Sequence, residues 1–426
     1  MSVLVFVVLA PLLFAPFPGP AAGNSIEEIL RGAEESLVSA EELGKRLAGL
    51  GSGALTDLYA TLVRGETLDG EPLTAHQEDA LAWGLASFGR SVLLPFLQPR
   101  IEGASIAERG EILELLGRVG LRTDLGTLVL VAAPHPRSAL DVRLGQVLRE
   151  AVSALCSRDA RAVVSMPRWI LLSSPDLASA LILAASDHPS EAVLTTFVDC
   201  LGFDRSLDCA LLPQIGRVGE ALDRLVTDSA ARAVLPYLEQ EDPQLLREAA
   251  LACGRLETFE ATSLLIALLD HEERGVREAS QWALERSSGM RFGKDEIRWS
   301  AWLRSEQAWF EEVSGRLAPK LRQGEVQVAL RTLGDVSQHR FERHRLATEV
   351  EFALEHENPL VRSLACVCLE RLGSLSSRTP LTEALEDPDP SVAAAARRAL
   401  QALGLDPPDP DPEEAPSLDL KIPERG

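Results

Sequence analysis

Two C-terminal stretches of the chain carry the same arrangement of apolar and polar positions. Residues 350–372 (VEFALEHENPLVRSLACVCLERL) and 381–403 (LTEALEDPDPSVAAAARRALQAL) align without a gap at a shift of 31 residues. Val350 and Leu354 in one copy, and Leu381 and Leu385 in the other, are four apart, as one face of a first helix requires. A turn follows, Asn358-Pro359 or Asp389-Pro390. Asn and Asp are favoured helix N-caps, and Pro suits the first helical position, where its missing N–H costs nothing. The second helix then presents Val361, Leu364, Ala365, Cys368, Leu369 and Leu372, matched by Val392, Ala395, Ala396, Ala399, Leu400 and Leu403. Both sets follow i, i+3, i+4, i+7, i+8, i+11, a buried stripe of period 3.6.

The unit recurs upstream. Leu265, Leu269, Val276, Ala279, Ala283 and Leu284 hold the same relative places, and Arg277 follows Val276 as Arg362 follows Val361. Before that, Asp242-Pro243 opens a helix carrying Leu246, Arg247, Ala249, Ala250 and Cys253. A helix pair recurring every 30–31 residues cannot bury its apolar faces alone, whereas stacked neighbours bury them jointly. The pattern therefore predicts an all-α fold, an α-solenoid or superhelix of stacked antiparallel helix pairs. Residues 25–225 are less regular but still divide into helical stretches, among them 112–119, 140–155, 177–185 and 191–201. Breaks fall at Pro134 and Pro136, Ser174-Pro175 and Asp187-His188-Pro189.

The turn, the Ala-rich second helix and the Leu372-Gly373 and Leu403-Gly404 endings resemble the HEAT-repeat family, in the short bacterial form related to phycobilisome-lyase-type repeats. The resemblance is clear for four units within 230–404. In that family the Arg after the turn supports polar contacts between repeats. Ala393 stands at that place in the last unit, which implies a capping repeat. Gly289, Phe292, Gly293, Asp295, Trp299 and Trp302 form a stretch that resembles an insert seen in bacterial HEAT-like proteins. The expected organisation is a signal peptide or N-terminal anchor over 1–23 and a degenerate helical-repeat region over 24–229. HEAT-like repeats over 230–286 and 326–404 flank a Trp-rich insert over 287–325. An acidic, Pro-rich tail over 405–426 closes the chain.

Composition narrows the function classes. The 426 residues are 46% hydrophobic but only 5% aromatic, so the apolar content is mostly Ala, Leu and Val, which suits packed helices. The formal net charge of −22 disfavours nucleic acid or an anionic membrane surface as the main partner. Met1 to Asn24 holds no charged residue, and Val3 to Phe14 is nearly all apolar before the small residues Ala21-Ala22-Gly23. That resembles a secretory signal, although no Lys or Arg precedes the apolar run. Export to the periplasm, cell envelope or outside is the expectation, with an uncleaved anchor as the alternative and no membrane insertion beyond this segment. The last 22 residues hold six Pro and seven acids, a composition expected to be disordered.

Chemical motifs are sparse. The sequence contains no phosphate-binding P-loop, no G-x-S-x-G elbow and no H-E-x-x-H. Gly49-Leu50-Gly51-Ser52-Gly53 lies between helical segments rather than after a strand, which makes it a linker. Asp409, Asp411 and Glu413 alternate like calcium ligands but lack the Gly and terminal Glu of a calcium loop. No cofactor or metal site is expected. None of the six cysteines forms a C-x-x-C pair. Most suit buried helix faces, and Cys200 with Cys209 is the natural local disulfide if the chain is exported.

Two features stand out as candidate partner-binding residues. One is the Trp group Trp299, Trp302 and Trp309, which equally suits packing of the insert against the array. The other is the basic stretch Arg340, Arg343 and Arg345, which equally suits a solvated helix surface. The leading expectation is a non-enzymatic protein–protein interaction scaffold with a protein partner. The alternatives are a lyase-like enzyme or enzyme accessory, and glycan binding through the Trp residues. A cleft gathering a His, two carboxylates and an Arg would favour the enzyme.

Overall fold

The Asp-Pro and Asn-Pro turns cap helices in the computed structural model. Asp242 accepts from the backbone N–H of Gln244 and Leu245 to open Pro243–Leu256, Asn358 from Leu360 to open Pro359–Leu372, and Asp389 from Ser391 to open Pro390–Ala402. Each has Pro at the start of the helix, where the absent N–H leaves no donor unsatisfied. Gly373 ends its helix in the left-handed region at φ 68°, a conformation that glycine adopts without a steric penalty. The structure describes residues 26–31, 38–67, 69–222, 224–322, 325–339 and 341–405, without the side chains of 224–226 and 228. The leader over 1–23, the tail beyond Leu405 and Arg340 lie outside these residues.

The apolar stripes lie in the core. Val361, Ala365, Cys368, Leu369 and Leu372 are buried, as are Val392, Ala395, Ala396, Ala399 and Leu400; Leu364 and Leu403 are half-buried. The upstream copies behave alike, with Val276, Ala279, Ala283 and Leu284 and with Leu246, Ala249, Ala250 and Cys253 all buried. The fold is an all-α solenoid. Among the described residues it contains no β-strand, only an isolated bridge between Glu66 and Pro72, and no single helix is long and apolar enough to cross a membrane.

The chain divides into two compact units at His188–Pro189, a break that falls within the expected degenerate region. In the first unit the longer helices Ile106–Val119, Val142–Arg158 and Pro175–Ser186 stack in succession, with the shorter Leu125–Ala132 and Met166–Leu172 between them. In the second unit Arg205–Glu220, Pro243–Leu256 and Arg274–Ser288 stack likewise, and so do Val326–Val336, Pro359–Leu372 and Pro390–Ala402. Within the Trp-rich stretch Asp295 caps an 18-residue helix, Glu296–Val313, and the short helix Leu317–Arg322 follows it.

Successive long helices meet backbone to backbone at small residues. A Cβ on Gly117 would lie 2.8 Å from the Cα of Ala151, one on Gly216 2.9 Å from the Cα of Ala252, and one on Gly254 2.8 Å from the Cα of Ala283. Arginines add polar bridges between pairs. Arg90 makes two 2.6 Å hydrogen bonds to Asp124, and Arg362 donates to Asp387 at 2.7 and 2.8 Å. Arg362 thus makes the contact between repeats that the family resemblance implies. The guanidinium partners hold both aspartates below the usual carboxylate range.

All six cysteines are free, and five are buried. The Cys200–Cys209 disulfide that export would permit is not formed: Cys200 sits in the core at 0% exposure, while Cys209 is half-buried on the following helix. Burial pushes the thiols of Cys156 and Cys200 up to about 11 and those of Cys253, Cys366 and Cys368 up to about 12, so they remain unreactive thiols at neutral pH.

Two predictions follow from this packing. Gly117→Val inserts two methyls and a Cβ where 2.8 Å separates it from the neighbouring backbone; the expected cost is about 1–3 kcal/mol, read as a lower urea midpoint. A midpoint equal to wild type would refute the close contact. The second concerns Glu111, whose carboxyl is pushed from an ordinary 4.5 up to about 7 by burial and then by Glu114 and Glu78. The unfolded chain ionises this group first, so between pH 4.5 and about 7 the native state binds more protons. Its contribution to stability is complete below that window and is lost as the pH rises through it. Glu111→Gln should flatten this part of the pH–stability curve, and an unchanged slope would exclude Glu111 as its source.

Candidate functional site

In the second unit, the C-terminal ends of several helices converge on a pocket of about 340 Å³. Its walls include Glu220, Arg255, Glu257, Arg286, Arg343 and His344. Three of its arginines share one register. Leu245 to Arg255, Val276 to Arg286 and Val361 to Arg371 are each ten residues, so equivalent repeat positions deliver Arg255, Arg286 and Arg371 to the same opening. Cations near helix C-termini complement the negative end of the helix dipole and its unsatisfied carbonyls.

Most of these charges are engaged with one another. Glu220 pairs with Arg286 and lies 3.9 Å from Arg255. Glu257 pairs with the buried Arg343, and its Oε2 is 3.5 Å from His344 Nε2. The other ring nitrogen of His344 is 2.9 Å from Ser374 Oγ. Glu257 and Glu342 are non-glycine residues in the left-handed region, at φ 54° and 53°. Glu257 is a member of the Arg343–Glu257 pair and Glu342 precedes Arg343; such backbone persists only where the surroundings over-determine it. Phe341 helps to do so, packing edge-on against Phe259 at 5.7 Å and Phe310 at 6.1 Å.

Trp282 does not line the pocket but stands beside two of its arginines. Its ring lies over Gly254 and is flanked by the guanidinium groups of Arg255 at 5.9 Å and Arg286 at 5.6 Å. It retains 37% exposure, beside two guanidinium groups that Glu220 also engages.

The residues singled out from sequence are not gathered at this opening. Trp299 is fully buried, donates its indole N–H to the Gly293 carbonyl at 2.8 Å and packs on Phe292 and Trp302. Trp302 is half-buried. Trp309 stacks on His339 at 3.6 Å and donates to Asp335. Arg345 is exposed, with its guanidinium 4.9 Å from the Phe310 ring. Of the described residues of the basic stretch, Arg343 reaches the pocket and Arg345 does not; Arg343 does so as a buried ion-pair partner rather than a surface cation. Sequence reasoning passed over Arg255, Arg286, Glu220, Glu257 and Trp282 as site residues. The available signal was the recurrence of Arg at one register of three repeats.

The pocket does bring a His, carboxylates and arginines together. The series Ser374–His344–Glu257 has the order of a nucleophile, base and acid. Ser374 is fully buried, however, and also shares a 2.6 Å hydrogen bond with Ser376. A nucleophile needs access to substrate, and this hydroxyl does not line the pocket. Among the described residues no group of His, Cys, Asp and Glu could hold a metal ion.

Residues 347–419 match the family described as HEAT repeats. No curated protein matches the chain. Among solved structures, the crystal structure of an engineered protein aligns with 89% of this chain and 99% of its own length, at 14% identity and a TM-score of 0.33. The HEAT match begins within the helix Arg343–Glu351, so Arg371 and Leu403 of the pocket belong to the matched segment while Trp282 and Arg255 precede it.

The ion pair yields a prediction. Arg343→Ala would remove the guanidinium beside the half-buried Glu257 and leave His344 as its neighbour, with an expected loss of about 1.5–3 kcal/mol, the scale of a hydrogen bond to a charged group. Chemical denaturation reads this directly, and a variant as stable as wild type would mean that the Arg343–Glu257 pair does not stabilise the fold.

Proposed function

We propose that this protein is a non-enzymatic interaction scaffold that binds a protein partner on its helical-repeat surface, with Trp282 and the adjoining pocket as the contact. The observation that carries the reading is the part-exposed Trp282 set between Arg255 and Arg286. Trp and Arg are the residue types that dominate interface hot spots, and they do so beside pockets that exclude water. The HEAT repeats support the same reading, since stacked helix pairs build extended binding surfaces. The net charge of −22 favours a polypeptide partner over a nucleic acid. Export from the cytoplasm belongs to the proposal and rests on the uncharged apolar leader before Ser25.

An enzyme on the same repeats is the second reading, favoured by His344 lying between Ser374 and Glu257 and weakened by the burial of Ser374. The two separate experimentally. Affinity capture with the full chain should recover a defined partner whose binding weakens roughly 30-fold in Trp282→Ala, the scale of a 2 kcal/mol hot spot, and falls in Arg286→Glu as well. Ser374→Ala should leave that binding intact. Capture of the same proteins with the same affinity by the wild type, Trp282→Ala and Arg286→Glu would refute the scaffold reading at this site.

A further inference from the structure

The first unit holds a second and larger opening, about 750 Å³, between the helices Val142–Arg158 and Pro175–Ser186. It has an apolar floor and an acidic rim. Leu140, Ala180 and Leu183 line the floor, and Val142 beside them is 88% exposed. Gly145 and Ser179 keep the walls low. Four acids border the groove, Asp141, Glu150, Asp176 and Asp187, against a single cation, Arg149. That cation is already committed, because its guanidinium reaches both carboxylate oxygens of Asp187 at 2.9–3.3 Å. Asp141 in turn caps its own helix through the N–H groups of Arg143 and Leu144.

We infer that this groove is a binding site for a basic amphipathic helix of a partner polypeptide, its apolar stripe on Leu140, Val142, Ala180 and Leu183 and its Lys or Arg residues toward Glu150 and Asp176. Charge decides among occupants. A second copy of this chain would bring −22 and the same acidic rim, and a nucleic acid or an anionic membrane would meet the acids with its phosphates. A cationic polypeptide meets them with the opposite sign, and an apolar groove between two helices accepts residues at i, i+3, i+4 and i+7 of a third. The inference concerns a different unit from the pocket beside Trp282 and does not depend on it.

The test uses the full chain and a fluorescein-labelled helical peptide of about 15 residues, with Leu at i, i+3, i+4 and i+7 and Lys on the opposite face. Its counterpart carries Glu in place of Lys. The Lys peptide should bind saturably and the Glu peptide should not. Ser179→Trp, which fills the groove, should weaken binding at least roughly tenfold. Glu150→Lys, on an exposed position that does not threaten the fold, should weaken it several-fold, and higher salt should do the same. Trp282→Ala should leave the peptide affinity unchanged, so failure of this inference and failure of the scaffold reading are separable. Equal binding of the Lys and Glu peptides, undiminished binding by both groove variants, or no saturable binding would each overturn the assignment.

Discussion

The structure depends on how closely successive long helices approach. At Gly117 on Ala151, Gly216 on Ala252 and Gly254 on Ala283, there is no room for a Cβ without a shift of the neighbouring backbone. Two helices that touch at their backbones place their flanking Leu and Val residues in mutual contact over a long stretch, and dispersion and burial of apolar surface then add along the stack. The same constraint appears in both units, although the sequence repeat is strong in only one. Where glycine is missing, between Pro359–Leu372 and Pro390–Ala402, the buried residues Ala365, Cys366, Ala395 and Ala396 are small as well.

Close stacking also explains the polar chemistry. Helices held in register bring equivalent positions together at one end of the stack, so a residue repeated in sequence becomes a cluster in space. Arg255, Arg286 and Arg371 are gathered in this way, and the carboxylates of Glu220 and Glu257 come with them. The insert Glu296–Val313 then interrupts the spacing, and the chain that follows it returns to pair Arg343 with Glu257. Among the described residues, the non-glycine left-handed backbone falls at the two ends of this contact, at Glu257 and at Glu342 beside Arg343. The pocket is thus a product of repetition and of its interruption together.

Most of the helical architecture was legible because it rests on local rules. The Asn358 and Asp389 caps, the prolines after them and the stripes through Leu369 and Leu400 need only the period of a helix and the hydrogen-bonding needs of its first turn. The site was legible only in part. Trp299, Trp302 and Trp309 drew attention by type, yet a tryptophan's role depends on what covers it. Trp299 is enclosed by Phe292 and Trp302, whereas Trp282, on the ordinary repeat helix Arg274–Ser288, keeps part of its side chain at the surface.

The amino-acid sequence by itself determined that this chain is a stack of helix pairs, since period, caps and small residues act within a few residues of one another. It also determined the acidic balance of the chain. The tertiary structure alone decided which charges meet, which tryptophan is exposed and where the chain divides, at His188–Pro189. Those outcomes depend on residues far apart in sequence, such as Glu257 and Arg343 or Arg362 and Asp387, whose contact is set by helix packing and by the length of the insert rather than by any local preference.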